Sequence, residues 1–96
     1  MIRHTVFFRL KHAAGAAAEQ GFFRASKVLA TLPTVKNFEM LRQVSPKNGF
    51  SHGFSMEFDD QASYEAYNVH PLHVAYVQDV WLPQVAEFME IDTVPL

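Results

Sequence analysis

The segment from Tyr67 to His73 holds the residue types in this chain best suited to acid–base chemistry. It reads YNVHPLH, with two histidines three residues apart, a proline between them and a tyrosine upstream. Histidine titrates near neutral pH and can act as a general base, and a tyrosine hydroxyl can hold a carbonyl oxygen. Pro71 disfavours helical backbone at His70 and suits the first position of a helix. We predict that His70 caps a new helix and that this break folds Tyr67 and His73 over one cavity.

The pair formed by His70 and His73 also has the spacing of two metal ligands on one side of a helix. No His-Glu-x-x-His motif accompanies the pair, and Glu90 and Asp92 are the obvious carboxylates that could complete a site. A cap at His70 would turn its side chain away from His73. The chain also has no cysteine, no Gly-x-Ser-x-Gly motif and no phosphate-binding loop. We therefore predict no metal and no cofactor, so that any chemistry would be cofactor-free proton transfer.

Two further histidines, His4 and His52, interrupt otherwise apolar faces of predicted strands. A buried imidazole without a partner costs about 1–3 kcal/mol, so each needs a hydrogen-bond partner, a water-filled cavity or a metal. A satisfied core histidine and a pocket histidine are both open interpretations. In the pocket interpretation, Asp92 could orient a histidine by accepting a hydrogen bond from its second ring nitrogen.

Six elements would position these side chains. Alternating apolar residues predict strands over 2–10, 34–44, 50–58 and 86–94. Helical spacing predicts a first helix over 16–31, ended by Pro33, and a second helical region that breaks at His70 into 59–69 and 70–85. The first helix would face the core with Ala18, Phe22, Ala25, Leu29 and Leu32. The order β-α-β-β-α-β predicts an α+β, ferredoxin-like fold with a four-stranded antiparallel sheet.

Composition limits the partners. The 96 residues make a single domain over 1–96, with 49% hydrophobic residues, 19% charged residues and a net charge of −2. No cluster of lysine and arginine is present, which argues against nucleic acid and membrane surfaces. The N-terminal segment has charges within its apolar run and resembles neither a signal peptide nor a membrane span, so a cytoplasmic location is expected. One sheet face would remain open, with Phe7 on it, which predicts a homodimer.

The chain resembles a known family in four segments: MIRHTVFFRLK, LPTVKNF, FSMEFDDQASYEAYNVHPLHVAYV and MEIDT. Together these segments resemble the stress-responsive A/B barrel (Dabb) domain over nearly the whole length. Members of that family are homodimeric α+β barrels in which two ferredoxin-like sheets associate. The resemblance therefore implies a dimeric α/β barrel for this chain.

The resemblance also implies roles for individual residues. A plant member of the family is a cofactor-free polyketide cyclase that closes a ring by aldol condensation. Its catalytic pair matches His73, as the general base, and Tyr67, which would orient the reacting carbonyl. Its pocket residues match His4, His52 and Asp92. The plant enzyme has a further tyrosine on its first helix, where this chain has Ala25 or Ser26.

Three functions follow as alternatives. The first is a cyclase or lyase that acts on a small, apolar, carbonyl-bearing molecule, with the five matched side chains around one closed cavity. The second is a non-catalytic, stress-related or ligand-binding protein on the same scaffold, with a small cavity and each histidine paired. The third is a monooxygenase of the kind that uses related dimeric barrels, for which Trp81 and the histidines are the only hints.

Overall fold

The computed structural model describes residues 1–96 and contains one four-stranded sheet covered on one face by helices. The strands are all antiparallel in the order β2-β3-β1-β4, which confirms the predicted ferredoxin-like α+β fold. The elements are β1 (Ile2–Leu10), α1 (Ala17–Ser26), a 3₁₀ helix (Lys27–Thr31), β2 (Lys36–Arg42), β3 (His52–Phe58), α2 (Gln61–Val69), α3 (Pro71–Tyr76), a π-helical segment (Val77–Trp81), α4 (Leu82–Gln84) and β4 (Val85–Thr93). None of the helices has the length and apolar character that crossing a bilayer requires.

The core lies between the helices and the two central strands, β1 and β3. Alternate residues of these strands point to the helices, because successive side chains of a strand face opposite sides of the sheet. Phe8 of β1 is fully buried, with its ring centroid 4.8 Å from that of Phe54 on β3 and 5.0 Å from that of Trp81. His4 is buried in the same row as Phe8. The apolar alternation of β1 therefore brings one histidine into the core.

The first helical region differs from the prediction in its geometry. A regular α-helix ends at Ser26, and the chain continues to Thr31 as a 3₁₀ helix. Ala25, predicted to face the core, is exposed, and Ser26 is buried in its place. Ser26 lies one turn after buried Phe22 on the same face of α1. The three-residue turn of the 3₁₀ helix then carries Leu29 into the core.

The break between α2 and α3 follows the sequence prediction. Asp60 caps α2 by accepting a hydrogen bond from the Ser63 N–H at 2.8 Å. His70 has extended backbone and caps α3, since its Nδ1 accepts from the Leu72 N–H at 3.1 Å. The predicted capping role of His70 is therefore confirmed. Beyond Tyr76, however, the helix widens into the π-helical segment instead of continuing regularly.

The outer face of the sheet is open and partly apolar. Met89 and Ile91 of β4 are exposed, and half-buried Phe7 of β1 lies opposite Met89. The Phe7 ring covers Gly53 of β3 so closely that a Cβ at Gly53 would lie 2.7 Å from the ring atom Cδ1. This face thus carries apolar side chains that no other part of the chain covers.

Candidate functional site

Tyr67 and His73 are brought together by the break at His70. Tyr67 is buried on α2, His73 is half-buried on α3, and their ring centroids are 4.2 Å apart. Nδ1 of His73 lies 3.0 Å from the backbone oxygen of Asn68. Because a carbonyl oxygen can only accept, Nδ1 carries the proton and Nε2 keeps its lone pair in the neutral ring. Nε2 is the atom that could take up a proton.

The protonation states of the two side chains are complementary. Burial lowers the pKa of His73, against the opposing effect of its hydrogen bond to Asn68, so the ring is neutral at pH 7. Burial raises the pKa of Tyr67, which therefore keeps its proton and can donate. The Tyr67 hydroxyl has no hydrogen-bond partner within the chain, although every buried side-chain nitrogen or oxygen has one. The hydroxyl must therefore reach accessible space.

A hydrogen-bonded group formed by His4, Tyr64 and Asp92 lies beside this pair. His4 and Asp92 face each other in the register of β1 and β4, and Nδ1 of His4 is 2.6 Å from Oδ1 of Asp92. The Tyr64 hydroxyl donates to Oδ2 of Asp92 at 2.9 Å and is also 2.8 Å from Nδ1 of His4. The Asp92 carboxylate thus fixes the ring of His4, with Nδ1 as the proton-bearing nitrogen.

Tyr67 connects the two groups. Its ring centroid is 6.4 Å from that of His4 on one side and 4.2 Å from that of His73 on the other. The two histidines therefore lie on the same side of the sheet. We call these residues the tyrosine–histidine site; its members are His4, Tyr64, Tyr67, His73 and Asp92. Four of the five site residues taken from the sequence are in this group.

His52 is not part of the tyrosine–histidine site. The antiparallel register pairs His4 with Met56, whereas His52 pairs with Phe8, four residues further along β1. Four residues of a strand span about 13 Å. His52 packs instead against Phe23, with ring centroids 4.7 Å apart, and its Nδ1 is 2.9 Å from the Ser51 hydroxyl. The expectation of one cavity shared by His4 and His52 is corrected by this register.

Tyr64 is the site residue that the sequence analysis did not single out. Its three-residue distance from Tyr67 on α2 was the available signal, because residues at that spacing share one helix face. Nothing in the sequence alone indicated that its hydroxyl would reach β1 and β4. Burial, followed by the hydrogen bond to Asp92, raises the pKa of Tyr64, so it too remains a donor.

The expected closed cavity beneath the site is not present. None of the chain's five surface clefts is lined by His4, Tyr67 or His73. Aromatic rings occupy the space: Phe58 stacks on Tyr64 with ring centroids 4.9 Å apart and lies 5.1 Å from Tyr67. The site is therefore a compact group at the edge of the core.

Two other contacts involve residues that the sequence interpretation named. His70 uses its Nδ1 as a helix cap. On α1, the Ser26 hydroxyl donates to the Phe22 carbonyl at 2.7 Å and lies 2.6 Å from the Tyr76 hydroxyl. The tyrosine hydroxyl that contacts the first helix therefore belongs to Tyr76 of α3.

The family model of the stress responsive A/B barrel domain (Dabb) matches residues 2–95. The chain belongs to the Dabb family. Its fold matches the crystal structure of a Dabb family protein from Mesorhizobium loti with a TM-score of 0.97 and 55% identity, over 99% of this chain and 96% of that one. It is also 40% identical over 58 residues to a stress-response A/B barrel domain-containing protein of Arabidopsis thaliana, in a match that covers 51% of this chain and 48% of that protein. The match thus spans about half the length of that relative.

Two more distant structures share the fold. A dimeric ferredoxin-like protein of unknown function from Thermobifida fusca has a TM-score of 0.79 and 21% identity, over 98% of this chain and 90% of that one. The hydroxynitrile lyase of Passiflora edulis has a TM-score of 0.84 and 16% identity, over 99% of this chain and 93% of that one. At these identities the comparison shows the fold alone.

Proposed function

We propose that this Dabb protein is a cofactor-free acid–base enzyme of the cyclase or lyase type that acts on a small carbonyl-bearing molecule. His73 is the general base, Tyr67 holds the carbonyl oxygen, and His4 with Asp92 forms the neighbouring wall. Proton removal next to a carbonyl is the step that aldol cyclisation requires. The negative charge develops on the carbonyl oxygen, where a protonated tyrosine can stabilise it.

The contact between Tyr67 and His73 carries this proposal. One ring presents an unprotonated nitrogen and the other a protonated hydroxyl without a partner in the chain. Burial lowers the pKa of His73 and raises the pKa of Tyr67. Each group is therefore held in the protonation state that its role requires. The shared fold of a hydroxynitrile lyase supports the proposal by showing that this architecture can host a lyase.

The compact site limits the substrate to a small molecule. Because the aromatic rings of the core leave no large cavity beside His73, the substrate must bind at the partly exposed edge formed by α2 and α3. A methyl ketone such as acetophenone has a carbonyl oxygen for Tyr67 and acidic hydrogens for His73. It is a suitable first probe.

Deuterium exchange at the methyl group of acetophenone in heavy water tests the proposal. We expect the protein to accelerate exchange, and His73→Gln to reduce the acceleration by about 100-fold or more, since general-base catalysis typically contributes that much. Tyr67→Phe keeps the ring and removes the hydroxyl, and we expect it also to reduce the rate. His12→Gln is the matched control, because His12 bonds to Gln84 and lies outside the site. No acceleration across a panel of small ketones and cyanohydrins would refute the proposal.

A non-catalytic ligand-binding protein is the second candidate. The observation in its favour is that no cleft is lined by Tyr67 or His73. In that case, replacing His73 would change the free energy of unfolding but no reaction rate. A rate that is lost in His73→Gln with an unchanged melting temperature would exclude this candidate.

We also propose that the protein is a homodimer in which the outer sheet faces of two copies pack together. Phe7, Met89 and Ile91 lie on that face, and they line an apolar cleft of about 530 Å³ together with residues of the loop between β2 and β3. The Thermobifida fusca protein with this fold is described as dimeric, which supports the proposal.

A further inference from the structure

A polar cleft lies at the opposite end of the sheet from the tyrosine–histidine site. It encloses about 450 Å³ between the start of α1 and the ends of β1, β2 and β3. The charged and titratable residues on its wall are Arg9, His12, Glu19, Arg42 and His52. An adjoining cleft of about 360 Å³ shares Glu19, Arg42 and His52 and adds the apolar side chains of Phe23 and Met40. The two clefts therefore form one groove with a polar end and an apolar end.

His52 presents an unpartnered nitrogen to this groove. The residue is only 8% exposed, and its Nδ1 is 2.9 Å from the Ser51 hydroxyl. That hydroxyl donates to the Phe8 carbonyl at 3.4 Å, so it accepts from Nδ1, and Nε2 is the unprotonated nitrogen of the neutral ring. Nε2 has no partner in the chain, yet no buried nitrogen is unsatisfied, so Nε2 must open into the groove that His52 lines.

Arg42 is the one charged side chain of the groove without a partner. Arg9 lies 3.7 Å from Glu87, the His12 ring is 2.8 Å from Gln84, and Glu19 accepts from the Gly15 N–H at 3.3 Å. The Arg42 guanidinium forms no ion pair or hydrogen bond. Its backbone faces that of His52 in the register of β2 and β3. Opposite residues of paired strands point to the same side, with Cβ atoms about 5 Å apart.

We propose that this groove binds a small α-hydroxy acid, with its carboxylate on the Arg42 guanidinium and its hydroxyl donating to Nε2 of His52. The forked guanidinium matches the two oxygens of a carboxylate. Because the two side chains start from opposite positions of neighbouring strands, they suit a ligand that has a donor and a carboxylate on neighbouring carbon atoms. Like charge turns the carboxylate away from Glu19 towards Arg42, and the tail of the ligand packs on Phe23 and Met40.

Phenyllactate and phenylpropionate form a matched pair of probes, because they differ only in the α-hydroxyl group. We expect phenyllactate to bind the full-length protein in calorimetric titration and to shift the His52 ring signals in nitrogen NMR spectra. Phenylpropionate should bind about tenfold more weakly, since it leaves Nε2 unpaired. His52→Phe should abolish the difference between the two acids.

Arg42→Gln tests the carboxylate contact. Arg42 is exposed, so its replacement leaves the core unchanged, and we expect phenyllactate binding to weaken by at least about tenfold. Arg24→Gln is the matched control, since Arg24 is an exposed arginine outside the groove, and binding should be unchanged. The proposal is overturned if phenyllactate does not bind, if Arg42→Gln binds it as tightly as the unaltered protein, or if both acids bind equally well. None of these outcomes depends on the acid–base activity of the other site.

Discussion

Three of the histidines show how local contacts give the same type of side chain different roles. His70 uses Nδ1 as an acceptor and caps α3, while His73, three residues later, uses Nδ1 as a donor to Asn68. His4 pairs its Nδ1 with a carboxylate. The partner of Nδ1 decides whether Nε2 has a proton or a lone pair. At His73 the unprotonated Nε2 belongs to a ring whose centroid is 4.2 Å from that of Tyr67.

Asp92→Asn tests the link between β4 and His4. Asp92 is partly exposed, so solvent weakens its interaction with the His4 ring, and we expect the free energy of unfolding to fall by about 1 kcal/mol. Urea unfolding measures this change. Glu87→Gln, on the same strand and in a long, exposed pair with Arg9, should change stability little. Equal effects of the two replacements would show that Asp92 does not position His4.

The pH dependence of stability tests the environment of His52. Burial lowers the pKa of His52 in the folded state, with an opposing effect from Glu19 and a further lowering by Arg42. The unfolded chain therefore binds a proton near pH 6.5 that the folded chain does not, and stability falls as pH drops below about 6.5. We expect His52→Gln to reduce this loss in urea unfolding between about pH 7 and pH 5. An unchanged slope would contradict the effect of burial on His52.

At the residue scale, the sequence predicted those contacts that depend on near neighbours. The cap at His70 follows from Pro71 alone, because proline restricts the residue before it. The role of Tyr64 depends on the register of β1 and β4, which sets Asp92 opposite His4. A sequence does not show such a long-range register, so that contact could not be predicted.

At the scale of elements, a buried pair of hydroxyl groups ties α3 to α1. Ser26 is completely buried, and it joins the Phe22 carbonyl to the Tyr76 hydroxyl. Burial raises the pKa of Tyr76 to about 12, so the hydroxyl stays protonated and donates to Ser26. This contact holds α3, and with it His73, against the first helix.

A double-mutant cycle on Ser26 and Tyr76 tests the hydrogen bond between their hydroxyl groups. Tyr76→Phe removes one hydrogen bond and should cost about 1 kcal/mol of unfolding free energy. Ser26→Ala should cost more, about 1–3 kcal/mol, because it leaves the buried Tyr76 hydroxyl unsatisfied. In the Ser26→Ala background, Tyr76→Phe should then be nearly neutral or stabilising, as measured by urea unfolding. Additive losses would contradict a direct bond between the two hydroxyls.

Changes in helix type account for the elements that the sequence did not predict. Apolar spacing located both helical regions, but it did not show that α1 becomes a 3₁₀ helix after Ser26 or that a π-helical segment begins at Val77. These changes alter which backbone groups bond, and the apolar pattern reports only which side faces the core. Ser26, rather than Ala25, is buried because it lies one turn after Phe22 on the inner face of α1.

At the scale of the whole molecule, the open sheet face predicts association of two copies. Phe7→Ser removes apolar surface at the centre of that face, and we expect it to shift the dimer towards monomer in light scattering combined with size-exclusion chromatography. Val74→Ser is the matched control, since Val74 is an exposed apolar residue on α3 and on the helical side of the sheet. Equal behaviour of the two variants would contradict association through the outer face.

The fold as a whole could be predicted from the sequence, but the shape of the site could not. The order of the elements could be predicted from the alternation in β1 and β3 and from the break at His70. Only a few folds have that order. Whether a cavity remains beneath the histidines depends on how Phe58, Tyr64 and Tyr67 pack. Those three rings fill the space that a larger substrate would need.

The pH dependence of acetophenone exchange tests most directly the claim that His73 acts as a neutral base beside a protonated Tyr67. Because burial lowers the pKa of His73, we predict a rate that rises with pH through an apparent pKa below 6.5 and reaches a plateau at neutral pH. His73→Gln should remove both the rate and its pH dependence. An exchange rate that persists unchanged in His73→Gln, or that continues to rise well above pH 7, would contradict the assignment.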